Sequence, residues 1–153
     1  MSNLNGKFDV LRGWDIVGDA TVAPSLPPYV SGGVPVTLAP GNIVYLRSDG
    51  TVDVATTGAV MTPDDVDVLR LYVVVEGDDV DYSAQFVGKV VCLRGNCTVK
   101  TDKFDVADAF PVAGKVSFVA GLLTDFAATN QVIGVVLENN VTVDGTITVE
   151  LTL

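Results

Sequence analysis

Two cysteines, Cys92 and Cys97, flank Leu93-Arg94-Gly95-Asn96 and are the only thiols in the chain. A two-residue loop at Arg94-Gly95 would set them opposite each other in a non-hydrogen-bonded antiparallel pair. Their Cα atoms would then lie about 4.5 Å apart, which permits a cross-strand disulfide. A loop at Gly95-Asn96 would put them out of register, and in the absence of an export signal thiols stay reduced, so two free thiols are the favoured expectation. A metal site would need further ligands, and a chain with no histidine can draw them only from carboxylates. A redox pair is ordinarily spaced Cys-x-x-Cys. The carboxylates cluster at Asp64-Asp65-Val66-Asp67 and Glu76-Gly77-Asp78-Asp79-Val80-Asp81. Oxygen ligands this close in sequence suit Ca²⁺, and Gly77 would supply a sharp turn, but neither run follows the EF-hand spacing. Both read as solvated turns, and no metal or cofactor is expected.

The missing histidine also removes the commonest general base and closes the Ser/His/Asp and Cys/His triads. A glycosidase needs only two carboxylates. Here, however, 16 Asp are scattered through turn-like segments, and the chain lacks the aromatics that line a sugar cleft. No Walker-type loop or dinucleotide-binding glycine fingerprint occurs, and Gly32-Gly33 precedes a strand rather than a helix. The expectation is a protein that is not an enzyme. With 9 Lys+Arg against 19 Asp+Glu the formal charge is −10, so neither nucleic acid nor an anionic membrane surface is an expected partner. Export lacks support as well, because Met1–Asp15 shows no basic start followed by an apolar run.

What must position these residues is sheet. The chain holds 30 Val, 4 Ile and 14 Thr, side chains stiff at χ1 that pack well on a pleated surface. Its acids are 16 Asp but only 3 Glu, and Asp closes turns whereas Glu decorates helices. The fold class read from this is all-β: a compact β-barrel or sandwich of short antiparallel strands, 34–153, preceded by an extended Pro/Gly-rich N-terminal arm, 1–33. Strands are expected at Val34–Leu38, Ile43–Arg47, Thr51–Val54, Val68–Glu76, Phe86–Leu93, Cys97–Thr101, Lys115–Val119, Gln131–Glu138 and Thr146–Leu153. Gly50 and Gly145 mark hairpin turns after Asp49 and Asp144. Met61–Val68 and Asp105–Ala109 read as single turns.

Val73-Val74-Val75 and Val135-Val136-Leu137 are unbroken apolar runs, expected to be buried on both faces or central. Thr146–Leu153 alternates, with Ile147, Val149, Leu151 and Leu153 on the core face and Thr146, Thr148, Glu150 and Thr152 wet. An internal echo sets Pro40–Tyr45 against Ala113–Phe118, and Tyr72–Gly77 against Gly134–Asn139, as a duplicated half-barrel would.

The arm carries Pro24, Pro27, Pro28 and Pro35, which forbid a helix or a central strand. Trp14, Leu26, Pro27, Pro28 and Tyr29 are its apolar anchors, lying on their own barrel or on a neighbour.

Pro40-Gly41-Asn42-Ile43-Val44-Tyr45-Leu46 with Asp49-Gly50-Thr51-Val52, Ala113-Gly114-Lys115-Val116-Ser117-Phe118 with Gly121-Leu122, and Val132-Ile133-Gly134-Val135-Val136-Leu137-Glu138 with Asp144-Gly145-Thr146 resemble the small β-barrel decoration, or cement, proteins of tailed-phage heads. The resemblance implies a structural protein on the outer capsid surface, partnered by the major capsid protein and by its own copies as a homotrimer or other symmetric oligomer. It also implies synthesis in the host cytoplasm, with Trp14, Leu26, Pro27, Pro28 and Tyr29 contacting capsid or neighbour. A tail or adaptor barrel is the alternative within virions, and a receptor- or carbohydrate-binding module the alternative outside them.

Overall fold

Val73, Val74 and Val75 stand in one strand with no polar residue between them, so the sheet that holds them needs cover on both faces. The computed structural model describes residues 8–12, 26–55, 71–76, 90–125 and 131–153, and shows both covers. In chain order the strands are β1 (Phe8–Arg12), β2 (Val30–Ser31), β3 (Val34–Pro35), β4 (Ile43–Leu46), β5 (Val52–Val54), β6 (Leu71–Glu76), β7 (Val91–Leu93), β8 (Asn96–Thr101), β9 (Lys115–Val119), β10 (Leu122–Asp125), β11 (Gly134–Asn140) and β12 (Thr146–Thr152). They form a six-stranded sheet ordered β1-β8-β12-β11-β9-β10, a four-stranded sheet ordered β5-β4-β6-β7, and a two-stranded ribbon of β2 and β3. All named strand pairs are antiparallel, and there is no helix among the described residues. The fold is an all-β sandwich in which neither sheet closes into a barrel by strand pairing.

The main core lies between the two sheets. Ile43, Tyr45, Val73, Val75 and Leu93 enter it from one side, and Cys97, Val99, Val116, Phe118, Val136, Ile147, Val149 and Leu151 from the other. Phe104 and Phe110 seal it edge to face, their ring centroids 5.2 Å apart. Val74 points the other way. With Val44, Val52, Tyr72, Val90 and Cys92 it forms a second core, covered by Leu38 and by the half-buried Leu26 and Val36.

One turn ties the sheets together. Ala120 and Gly121, at φ 47° and 79°, make the tight β9–β10 turn. The Ile43 amide donates to the Gly121 carbonyl at 2.8 Å, the Gly121 amide to the Ala55 carbonyl at 2.8 Å, and the Ala55 amide to the Ile43 carbonyl at 2.9 Å. A residue of the six-stranded sheet thereby completes the hydrogen bonding at the end of β4 and β5. The far edge of β10 is covered too, because Leu123 and Asp105 exchange bonds with their neighbours around the parallel Phe104–Leu123 bridge.

Several expectations shift. Thr146 and Thr148 are buried, not wet, since β12 is central in its sheet and Thr148 stands in register between Lys100 and Glu138. Thr146 lies beside the turn whose Asp144 accepts from both its amide and its hydroxyl, and Lys100 meets the same carboxylate at 2.8 Å. Val135 and Leu137 are exposed and only Val136 is buried, because alternation sets Val135 and Leu137 on the solvent face of β11, and the bulge between Val136 and Glu138 brings Glu138 to that face as well. Val34–Leu38 yields only two strand residues before Leu38 dips into the second core. Strands β1, β2 and β10 were not expected. The expected boundary after Gly33 falls inside the β2–β3 turn, and the described parts of 1–33 are built into the fold: Phe8 is buried in the main core, and Leu26 packs on the second. The internal echo has a structural counterpart, since β5-β4-β6 and β10-β9-β11 repeat one strand order in the two sheets.

A methyl at Gly121 would lie 2.6 Å from Val54 Cγ1 and would sit on a positive φ, whereas one at Gly50, also at positive φ, meets nothing within 4 Å. Gly121→Ala should therefore destabilise by about 2–3 kcal/mol and Gly50→Ala by about 1 kcal/mol in urea unfolding; equal losses would remove the turn's role as the tie between sheets.

Candidate contact surface

Leu26 and Val90 each donate an amide hydrogen to the other's carbonyl, both at 2.8 Å. Two residues on, the Val52 amide donates to the Pro27 carbonyl at 2.9 Å and the Tyr29 amide to the Val52 carbonyl at 2.8 Å. One short segment thus bonds to β5 and to the residue leading into β7, the two edges of the four-stranded sheet. The prolines fit this task. Pro28 is the bridge residue of a parallel pair, where the flanking residues make the bonds, and Pro27 is asked only for its carbonyl. Residues 26–38 are therefore a strap, with Pro28 and Leu38 buried and Leu26 and Val36 half-buried.

From the strap grows the ribbon. Val36 donates to the Tyr29 carbonyl at 2.9 Å, β2 and β3 follow, and Gly32-Gly33 turns the chain at φ 59° and 82°. All six residues from Val30 to Pro35 are exposed, Val30 at 50% and Val34 at 67%. Pro35 faces Val30 one step from the bonded Tyr29–Val36 pair, so its missing amide removes a donor from the ribbon's outer edge and blunts it against strand addition. At the base the Arg47 guanidinium lies over the Tyr29 ring, 3.8 Å from its centroid, and donates to Tyr45 Oη at 3.0 Å. Asp53 and Asp49 stand 3.8 and 4.0 Å from it. No charged residue occurs between Asp19 and Arg47, in a chain of net charge −10.

The structure sorts the expected contact residues. Leu26 and Pro28 turn toward their own sheet, Pro27 is exposed and Tyr29 is half-buried under Arg47, while Trp14 lies outside the described residues. The exposed Val30 and Val34 were not singled out. Their signal was the Gly32-Gly33 pair flanked by Val-Ser and Val-Pro, a two-residue hairpin pattern. A second exposed apolar group lies on the outer face of the six-stranded sheet. There Val135 stands in register between Lys115 and Glu150, with Leu137 two residues on along the same strand face.

The cross-strand disulfide does not form. Arg94-Gly95 is a crossover, with β7 in one sheet and β8 in the other, so Cys92 lies in the second core and Cys97 in the main core. Both thiols are free and buried, and desolvation pushes each up to about 12. The acidic runs 64–67 and 77–81 lie outside the described residues. Among those described, no three His, Cys, Asp or Glu are grouped to hold a metal. No protein-family model matches the sequence, no curated protein matches it, and no solved structure matches the fold.

The native protein should leave both thiols unreactive toward a disulfide reagent at neutral pH and yield two once denatured without reductant; zero in the denatured, unreduced protein would restore the disulfide. Leu38→Ala should lower stability by about 2–4 kcal/mol and Val34→Ala by less than about 0.5 kcal/mol, read by chemical denaturation. Comparable losses would contradict the division into strap and free ribbon.

Proposed function

We propose that this chain is a structural virion protein of the decoration, or cement, type. It binds the outer surface of a tailed-phage capsid, with the major capsid protein as partner, and bridges capsid subunits as a symmetric homo-oligomer such as a trimer. The observation that carries the reading is the ribbon Val30–Pro35, apolar, uncharged and exposed, rooted by the strap in a fold with two cores. A protein acting by binding alone needs such a surface on a rigid base, so that little ordering entropy is lost on contact. Many symmetric copies then add their interfaces into an avidity that no single small contact supplies. Net charge −10 suits a layer that stays dispersed until docked and has no use for the nucleic acid within. The strap also refines which part of the N-terminal region to alter: Leu26 and Pro28 belong to the body and Phe8 to the main core, so a change meant to spare the fold is confined to the ribbon Val30–Pro35.

Immunogold labelling of purified virions from a lysate containing the protein is the direct test. Label over the whole head is the expected result. Label at a single vertex or along the tail would transfer the protein to the tail or adaptor class, and particles free of label would end the virion reading.

A further inference from the structure

The strap, residues 26–38, is attached lightly. Among the described residues two isolated bridges, Leu26–Val90 and Pro28–Val52, and four backbone hydrogen bonds join it to the four-stranded sheet. Pro27 and Pro28 bring no amide to that contact. The Arg47 guanidinium over the Tyr29 ring and the packing of Leu26, Pro28, Val36 and Leu38 complete it. The β8–β12 ladder is built otherwise, in unbroken register from Asn96–Thr152 to Thr101–Ile147, with its inward residues packed between the sheets. A segment held by few hydrogen bonds and few buried side chains opens at lower free energy than such a ladder. Beyond Leu38 the chain is fixed again, because the Gly41 amide donates to the Val74 carbonyl at 2.7 Å and the Val74 amide to the Asn42 carbonyl at 3.0 Å. We propose that the strap is a latch: residues 26–38 leave the four-stranded sheet as one unit while the core between the two sheets stays closed. The inference does not rest on the decoration reading.

The two thiols lie on either side of this division. The Leu26 amide and Cys92 Sγ donate to the same acceptor, the Val90 carbonyl, at 2.8 and 4.0 Å. Cys92 therefore sits at the first bridge of the strap, in the second core that the strap covers. Cys97 stands opposite Leu151 in the β8–β12 ladder and belongs to the main core, to which residues 26–38 contribute no side chain. Opening the latch bares Cys92 and leaves Cys97 covered, whereas only separation of the sheets bares both. The closed latch also occupies the amides and carbonyls of Val52 and Val90, which are backbone groups at the two edges of the four-stranded sheet. Edge groups of this kind, left unpaired, are where a sheet takes up a further strand. The latch thus governs when those edges are available.

Prolonged exposure of the native protein to iodoacetamide carries the test, far beyond the brief contact of a thiol count in which both cysteines stay covered. At reagent levels where the rate is linear in reagent, modification reads the population of the open form. Trypsin cuts after Lys89, Arg94 and Lys100, so the thiols fall on separate peptides, Val90–Arg94 and Gly95–Lys100, and mass spectrometry follows each alone. Relative to its rate in the unfolded chain, Cys92 should react about tenfold or more faster than Cys97. Urea below the unfolding transition should accelerate Cys97 steeply and Cys92 weakly, since opening the latch exposes less surface than unfolding. Ile147→Val, in the main core, should speed Cys97 by about two- to tenfold and leave Cys92 unchanged, because it destabilises the latched and unlatched forms alike. Leu26→Ala should speed Cys92 by about threefold or more, because it destabilises the latched form. The wild-type rates and their urea dependence stand without either variant. Equal rates with equal urea dependence, a Cys92 that stays silent until the unfolding transition, acceleration of both thiols alike by Ile147→Val, or a Cys92 rate untouched by Leu26→Ala would each overturn the proposal.

Discussion

A sheet of four strands that is apolar on both faces cannot stand at a surface, and nearly everything else in this fold answers that constraint. Ile43, Tyr45, Val73, Val75 and Leu93 need one cover, while Val44, Val52, Tyr72, Val74 and Cys92 need another. The six-stranded sheet supplies the first. The second comes from residues 26–38 of the same chain, whose prolines keep them extended and whose few amides are spent on Val90 and Val52. What composition reads as an arm is, over this stretch, a piece of the body. The ribbon at its middle projects from that body.

The same constraint explains which parts of the structure were legible in the residues. Val73-Val74-Val75 announced two-faced burial, and the Asp-Gly turns at Gly50 and Gly145 were found where the sequence put them, both at positive φ. Long-range pairing was not legible. Phe8–Arg12 falls inside the stretch read as an arm; it is a strand because β8 offers it an edge. Arg94-Gly95 looks like a hairpin loop, yet it carries the chain between sheets, since no local signal records which ladder each flank joins. Val135 and Leu137 show the converse: the run is central in its sheet, one of the two expectations, but only Val136 is buried and its neighbours lie on a surface. Of the contact surface, the prolines and Tyr29 were visible in advance, and the ribbon they support was not.

Charge and apolar surface divide the labour in this molecule. On the six-stranded sheet Lys100 pairs with Asp144, and Lys115 and Glu150 stand in register on either side of Val135. The Asp144 carboxyl, bonded by Lys100 and by Thr146, is held down at about 2 and keeps its charge at any pH the protein meets in a neutral medium. The apolar surface lies apart from these charges, in the uncharged ribbon Val30–Pro35.

The strap and β1 also set an order of events. Leu26 pairs with Val90 and Phe8 with Thr101, so these two contacts wait for most of the chain, whereas Pro27 and Tyr29 find Val52 earlier. During synthesis on the ribosome the strap is made before β4, β5 and β6 and meets β5 at Val52, while Phe8 waits for β8. Loop closure over such separations is slow relative to a local hairpin. Closure of the strap at Leu26 is thus a late step of folding, and a nascent chain stalled before Val90 would leave that end of the second core without its partner.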